Sequence, residues 1–122
     1  MHYRKTVVWS KAMEVAQETY RLVPLLPREE TYGVRSQMTR AVVSVPCNIA
    51  EGWTRESKKE KAQFLAIAQG SAAELETLLT LCEQLGWFPE PSTARLRQQL
   101  DEVSRMLTTL RRRSRNERAR NE

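Results

Sequence analysis

Apolar residues recur along this chain in four blocks, each stepping by three and four, and the first three blocks close on proline or glycine. In the first block Trp9, Met13, Ala16, Tyr20 and Val23 step by four, three, four and three, the spacing of one buried stripe on a helix. Lys11, Glu14, Gln17, Glu18 and Arg21 fall on the other side. This predicts a helix from Val7 to Val23, stopped by Pro24 and Pro27, with those five polar residues in solvent. Core packing explains the aromatic residues of the stripe more simply than a cofactor does.

The second block, Val34, Met38, Val42, Val45 and Ile49, predicts a helix with Thr31 as its N-cap and Gly52 as its terminator. Pro46 stands inside it. Proline has no N–H to donate and its ring crowds the Val42 carbonyl, so the second helix is expected to kink. Ser44, Asn48 and Glu51 lie beside the proline and are candidates to satisfy the freed backbone groups.

Ser57 followed by Glu60 matches a capping box and opens a third helix. Phe64, Ile67, Ala68, Ser71, Leu75, Leu78, Leu79, Cys82 and Leu85 carry its stripe, and from Ser57 to Gly86 as C-cap the helix makes about eight turns. A mid-helix glycine costs about 1 kcal/mol relative to alanine, so Gly70 marks a close approach of another backbone, inside the bundle or between subunits. In the fourth block, capped by Ser92 or Thr93, Leu96, Leu100, Val103, Leu107 and Leu110 repeat the rhythm. Beyond Leu110 the arginines either extend that helix into solvent or fray into a disordered arm. Together the blocks predict an all-α fold, an antiparallel up-down-up-down four-helix bundle with a proline-kinked second helix. Residues 1–110 form the bundle domain and residues 111–122 a basic C-terminal tail.

Composition narrows the function. The 122 residues suit one domain, and 40% hydrophobic with 29% charged is ordinary for a globular protein. No apolar run approaches the roughly 20 residues a bilayer requires, and the N-terminus has no signal-peptide core. The expected address is the cytoplasm, with no membrane partner. Net charge is +5, of which the six arginines and two glutamates of residues 111–122 supply +4. An electrostatic function therefore belongs to that tail or to local patches.

Catalytic constellations are missing. His2 is the one histidine, which rules out the paired Glu-x-x-His motifs of a di-iron bundle and leaves no seam base for a serine or cysteine nucleophile. The four glycines are scattered, so no phosphate-cradling loop exists. Cys47 and Cys82 are no metal pair, and Cys82 falls in phase with the third stripe as a small core residue. Glu74 and Glu76, two apart on a helix, point about 200° away from each other. No catalytic residue, cofactor or metal site is expected, and the chain reads as a non-enzyme.

Three segments then carry a resemblance: VWSKAMEVAQETY, YGVRSQMTRAVVSVPCNIAEGW and FLAIAQGSAAELETLLTLCEQLGW. Over roughly residues 7–88 the chain resembles the four-helix-bundle proteins of the 23S rRNA-intervening sequence family. The SxPxNIAEG and GSxxELET patterns are the specific part. The resemblance implies an antiparallel bundle assembled as a homopentamer. It extends to the accessory variability determinants of diversity-generating retroelements, basic pentamers that bind a reverse transcriptase and nucleic acid. It brings no catalytic residue. Ser44, Pro46, Asn48, Ile49, Ala50, Glu51 and Gly52 match as family positions, structural or at an interface.

Two functions follow. In the favoured one the protein is an oligomeric scaffold whose surface binds another protein, such as a reverse transcriptase. Trp53 and Trp87 are its anchor candidates and the tail is a solubilising extension, the commoner fate of a charge run. In the alternative it is a nucleic-acid-binding accessory for RNA or DNA. Arg111, Arg112, Arg113, Arg115, Arg118 and Arg120 would contact phosphates, and Lys58, Lys59 and Lys61 would add a second patch. The tail has no aromatic residue to stack on unpaired bases, so sequence-specific reading of single strands is not expected.

Overall fold

A computed structural model of the chain describes residues 2–121, with side chains through Ser114. Four helices carry the fold: α1 (Val7–Leu22), α2 (Val34–Thr54), α3 (Lys58–Gln84) and α4 (Ala94–Asn121). Short 3-10 turns precede α1 and fill the α1–α2 connection, and no strand occurs among the described residues. Each helix packs on its two neighbours, α1 closing the ring against α4, and the widest contact lies between α2 and α3. Cross-helix pairs run in opposite senses. Ser44 meets Ser71 while Gly52 meets Phe64, and Glu83 meets Arg97 while Gln69 meets Arg111. The fold is an all-α four-helix bundle.

The local signals explain where the helices begin and end. Thr6 caps α1, its hydroxyl accepting from the Trp9 N–H at 3.3 Å. Ser57 does the same for α3, accepting from the Glu60 N–H at 3.3 Å. At the far end of α3, Gly86 adopts φ +75°, with the Trp87 N–H bonded to the Cys82 carbonyl and the Gly86 N–H to the Glu83 carbonyl. That 6→1 and 5→2 pair is a Schellman motif, and only glycine enters its left-handed position without strain.

α2 departs from expectation at both ends. Gly33, not Thr31, is its N-cap residue, and the Thr31 hydroxyl donates instead to the Arg28 carbonyl at 2.7 Å. The 3-10 turn over Arg28–Glu30 uses up Thr31 and delays the helix, and the Glu30 carboxylate takes over the capping role by accepting from the Val34 N–H at 3.3 Å. Gly52 does not terminate α2, which runs to Thr54. It is a packing residue: a Cβ there would lie 3.2 Å from Phe64 Cβ and 3.4 Å from the Lys61 carbonyl oxygen. Gly70 is the opposite case. A Cβ there meets nothing within 4 Å, so among the described residues no other backbone approaches it.

Among the described residues twenty-three hydrophobic side chains make one buried cluster, and the stripes of α2 and α4 enter it nearly as written in the sequence. Met38, Val42, Val45 and Ile49 are buried, as are Leu96, Leu100, Val103 and Leu107. α1 is rotated from the expected seam. Val8, Ala12, Val15, Thr19 and Leu22 face the core, one position earlier in the same rhythm, while Trp9 and Ala16 flank it and Tyr20 is 51% exposed. Thr19 tolerates burial because its hydroxyl donates to the Val15 carbonyl at 2.8 Å. The same rotation buries Glu18, expected in solvent, with Arg21 3.4 Å away. In α3 the buried stripe is Leu65, Ala68, Ala72, Leu75, Leu78, Leu79 and Cys82, whereas Ile67 and Leu85 are half-exposed. Phe88, from the α3–α4 connection, is buried as part of the core.

Candidate functional site

The expected polar cluster beside Pro46 exists, and it works between helices. Pro46 itself is buried inside α2. Asn48 Nδ2 donates to the Ser44 carbonyl at 2.8 Å and to Ser44 Oγ at 2.9 Å, and Ser44 Oγ lies 2.8 Å from Ser71 Oγ on α3. The oxygen that receives the amide is therefore that of Ser44, not that of Val42, where the proline leaves a donor missing. Ile49 is buried beneath the cluster, Ala50 is half-buried, and Gly52 admits α3 at close range. Glu51 stands apart from the cluster, exposed and paired with Arg55 one turn on. Ser71 belongs to the GSxxELET pattern and Ser44 to SxPxNIAEG, so the two patterns of the resemblance meet in space.

Basic residues gather at the opposite reach of these helices, where the start of α1, the end of α2, the start of α3 and the descending part of α4 come together. Lys61 Nζ lies 4.6 Å from the Trp53 ring centroid, and the Arg55 guanidinium lies 4.8 Å from that of Phe64. Such contacts contribute about 0.5–1 kcal/mol at exposed sites and hold both cations on the bundle. Lys58 is engaged in contacts of its own, and Lys59 is exposed. From residue 51 to 61 four basic residues stand against three carboxylates, which leaves the expected lysine patch almost neutral.

α4 differs. From Val103 to Ser114 it carries Arg105, Arg111, Arg112 and Arg113 and no carboxylate. Arg112 and Arg113 are exposed. Arg111 is tied to the fold: its Nη1 donates to Gln69 Oε1 at 2.7 Å, while Gln69 Nε2 donates to Thr108 Oγ1 at 2.7 Å. The helix itself continues through Asn121, but the side chains of Arg115, Arg118 and Arg120 lie outside the described residues. Sequence reasoning missed Lys5 and Arg105, which face the same groove as Arg113, because Lys5 lies about a hundred residues from them in the chain and Arg105 stands outside the tail run. It also missed the Gln69 bridge, since Gln69 is uncharged and lies 39 and 42 residues from Thr108 and Arg111 in the chain.

At the other end, ion pairing is structural. Glu83 accepts from Arg97 Nε at 3.1 Å and from the Thr93 hydroxyl at 2.6 Å, and the Arg97 guanidinium reaches Thr80 at 2.9 Å. The Arg97 hydrogen bond, helped by that of Thr93, holds the Glu83 carboxyl below the usual glutamate range. Lys11 links α1 to Glu102 of α4 at 3.1 Å, and that hydrogen bond raises its ammonium above its ordinary value.

Neither cysteine nor the histidine builds a reactive site. Burial pushes the Cys82 thiol up to about 11, and Cys47 is exposed. His2 sits in the first turn, its Nδ1 accepting from the Arg4 N–H at 3.3 Å and its ring stacked on Tyr3. Trp53 and Trp87 are both partly buried against the core. Among the described residues no helix is long and apolar enough to cross a membrane.

A solved structure of a protein of unknown function from the S23 ribosomal protein family of Bacteroides thetaiotaomicron VPI-5482 superimposes with a TM-score of 0.79. The two share 24% sequence identity, and the match covers 86% of this chain and 98% of that one, a likeness of fold. A comparison with curated proteins found no match. The family model of the 23S rRNA-intervening sequence protein matches residues 4–109, and the chain belongs to that family.

Proposed function

We propose that the protein is a non-enzymatic, oligomeric scaffold of the cytoplasm, which assembles through helix faces outside its own core and presents the assembled surface to a protein partner. One observation carries this reading: on α3, Ile67 and Leu81 are 50% and 40% exposed on the side where Gly70 faces open space. Apolar side chains at that spacing on an already packed helix form a second stripe, and a second stripe is what a helix offers to another helix. The resemblance makes the assembly a homopentamer and a reverse transcriptase the first partner to try. Sedimentation of the full chain tests it. A particle near five times 14.2 kDa is expected, and Ile67→Glu is expected to reduce it to smaller species that stay helical. A wild-type mass of one or two chains overturns the pentamer.

A second reading has its own support in the carboxylate-free run of α4. In it the protein binds RNA or DNA through the backbone phosphates, with Arg112 and Arg113 exposed and the remaining tail arginines following. Salt titration of binding to structured RNA and duplex DNA, whole chain against a chain ending at Leu110, decides it. A log–log salt slope of about 0.7–0.9 per phosphate neutralised that flattens on truncation supports the reading. No binding by either form at moderate salt removes it.

A further inference from the structure

A groove of about 590 Å³ opens where the start of α1, the last turn of α2 and α4 converge. Val7, Trp53, Met106 and Leu110 give it an apolar floor, and Val7 is 61% exposed although it is the first residue of a helix. Lys5, Arg105 and Arg113 stand on its rim, with no carboxylate among the described residues lining it. Arg105 is paired with Asp101 at 2.8 Å, so the net positive charge of the rim rests on Lys5 and Arg113. The volume falls in the range of formed ligand pockets, about 300–1,000 Å³, and takes a few side chains of a partner.

From this geometry we propose that the groove is a docking site for an amphipathic acidic helix of a partner protein, a segment with apolar residues at helical spacing flanked by Asp or Glu. The proposal rests on the scaffold reading and names the chemistry of its partner. Charge complementarity carries it: an apolar floor favours apolar side chains, and a cationic rim selects carboxylates beside them. Nucleic acid fits less well. The one aromatic ring of the floor, Trp53, already carries the Lys61 ammonium over a face, and a hydrated phosphate–sugar chain does not cover Val7, Met106 and Leu110. A two-fold pairing of grooves would bring the cationic rims of two copies together, which repel.

The test uses the full chain and a fluorescein-labelled 15-residue helical peptide with leucines one turn apart and glutamates elsewhere, beside a twin with lysine for glutamate. The glutamate peptide is expected to saturate below about 100 μM and the lysine twin is not. Val7→Asp and the double variant K5E/R113E, all at exposed positions, are each expected to weaken binding by roughly tenfold, the scale of one interface anchor. Val7→Asp should leave particle mass and RNA affinity unchanged. Equal binding of the twin, or full binding by Val7→Asp, overturns the proposal. A fall in particle mass in Val7→Asp overturns it in favour of a second copy, and a loss of RNA affinity in Val7→Asp overturns it in favour of nucleic acid. Absent peptide binding with the pentamer intact removes this site and leaves the scaffold reading standing.

Discussion

Ser44 Oγ on α2 lies 2.8 Å from Ser71 Oγ on α3, and this contact joins the SxPxNIAEG and GSxxELET patterns that carry the resemblance. Asn48 adds two hydrogen bonds from one turn further along α2, one to each oxygen of Ser44. The hydroxyls therefore lock two helices at one register, in the widest interface of the bundle. A hydrogen bond contributes about 1 kcal/mol net, and more is lost when a half-buried partner is left unsatisfied.

Ser44→Ala removes the hydroxyl that meets both Asn48 and Ser71, so it is expected to cost about 1–2 kcal/mol, and Ser71→Ala about 1 kcal/mol. In a double-mutant cycle read by denaturant unfolding, the two should couple by at least 0.5 kcal/mol, roughly the lower bound for residues in contact. Additive losses would show that the hydroxyls act separately.

The two helical glycines should respond with opposite sign. Gly52→Ala places a methyl 3.2 Å from Phe64 Cβ and 3.4 Å from the Lys61 carbonyl oxygen, atoms fixed to the α3 backbone. About 1–3 kcal/mol of destabilisation follows from such overpacking. Gly70→Ala meets no atom within 4 Å and should gain up to about 1 kcal/mol of helix propensity. Thermal unfolding of both variants, together with particle mass, checks this. A drop in mass for Gly70→Ala would place that glycine at a subunit contact.

Glu83 links acid stability to the α3–α4 junction. Its carboxyl is held below the usual range in the folded chain, chiefly by Arg97, so the stabilisation is present above the unfolded value of about 4.3 and is lost as pH falls through the lower folded value. Glu83→Gln keeps the shape and removes the titration. Its unfolding midpoint should decline less steeply than that of the wild type between about pH 5 and pH 3, with lower stability at pH 7. Parallel pH curves would contradict the assignment.

The two thiols should separate cleanly. Cys47 is exposed, while Cys82 is fully buried with its thiol pushed up to about 11, so it holds almost no thiolate at neutral pH. A thiol reagent at pH 7.5 is expected to modify one cysteine per folded chain and both after denaturation. Rapid modification of two thiols in the folded protein would mean that α3 opens readily.

Local signals in the sequence were enough for the number of helices, the caps at Ser57 and Gly86, and the inward residues of α2 and α4. A cap needs only residues within one turn of itself, and a stripe needs only its own 3.6-residue period. Those terms do not involve the rest of the molecule. The tertiary structure decided everything that depends on a neighbour from a distant segment. In α1 two stripes one residue apart have the same rhythm, and packing turned Val8, Ala12 and Val15 inward and left Tyr20 outside. In the chain Gly52 reads as a helix terminator and Gly70 as the close approach, and only the position of Phe64 and Lys61 makes Gly52 the close-packing site instead. Arg111 reads as one of six tail arginines until Gln69, 42 residues earlier, accepts its hydrogen bond. Lys5, Trp53 and Arg113 become one groove only because the helices return to the same end of the bundle. Period and capping are short-range and survive in a linear string, whereas facing, close approach and charge clustering exist only once the helices have packed.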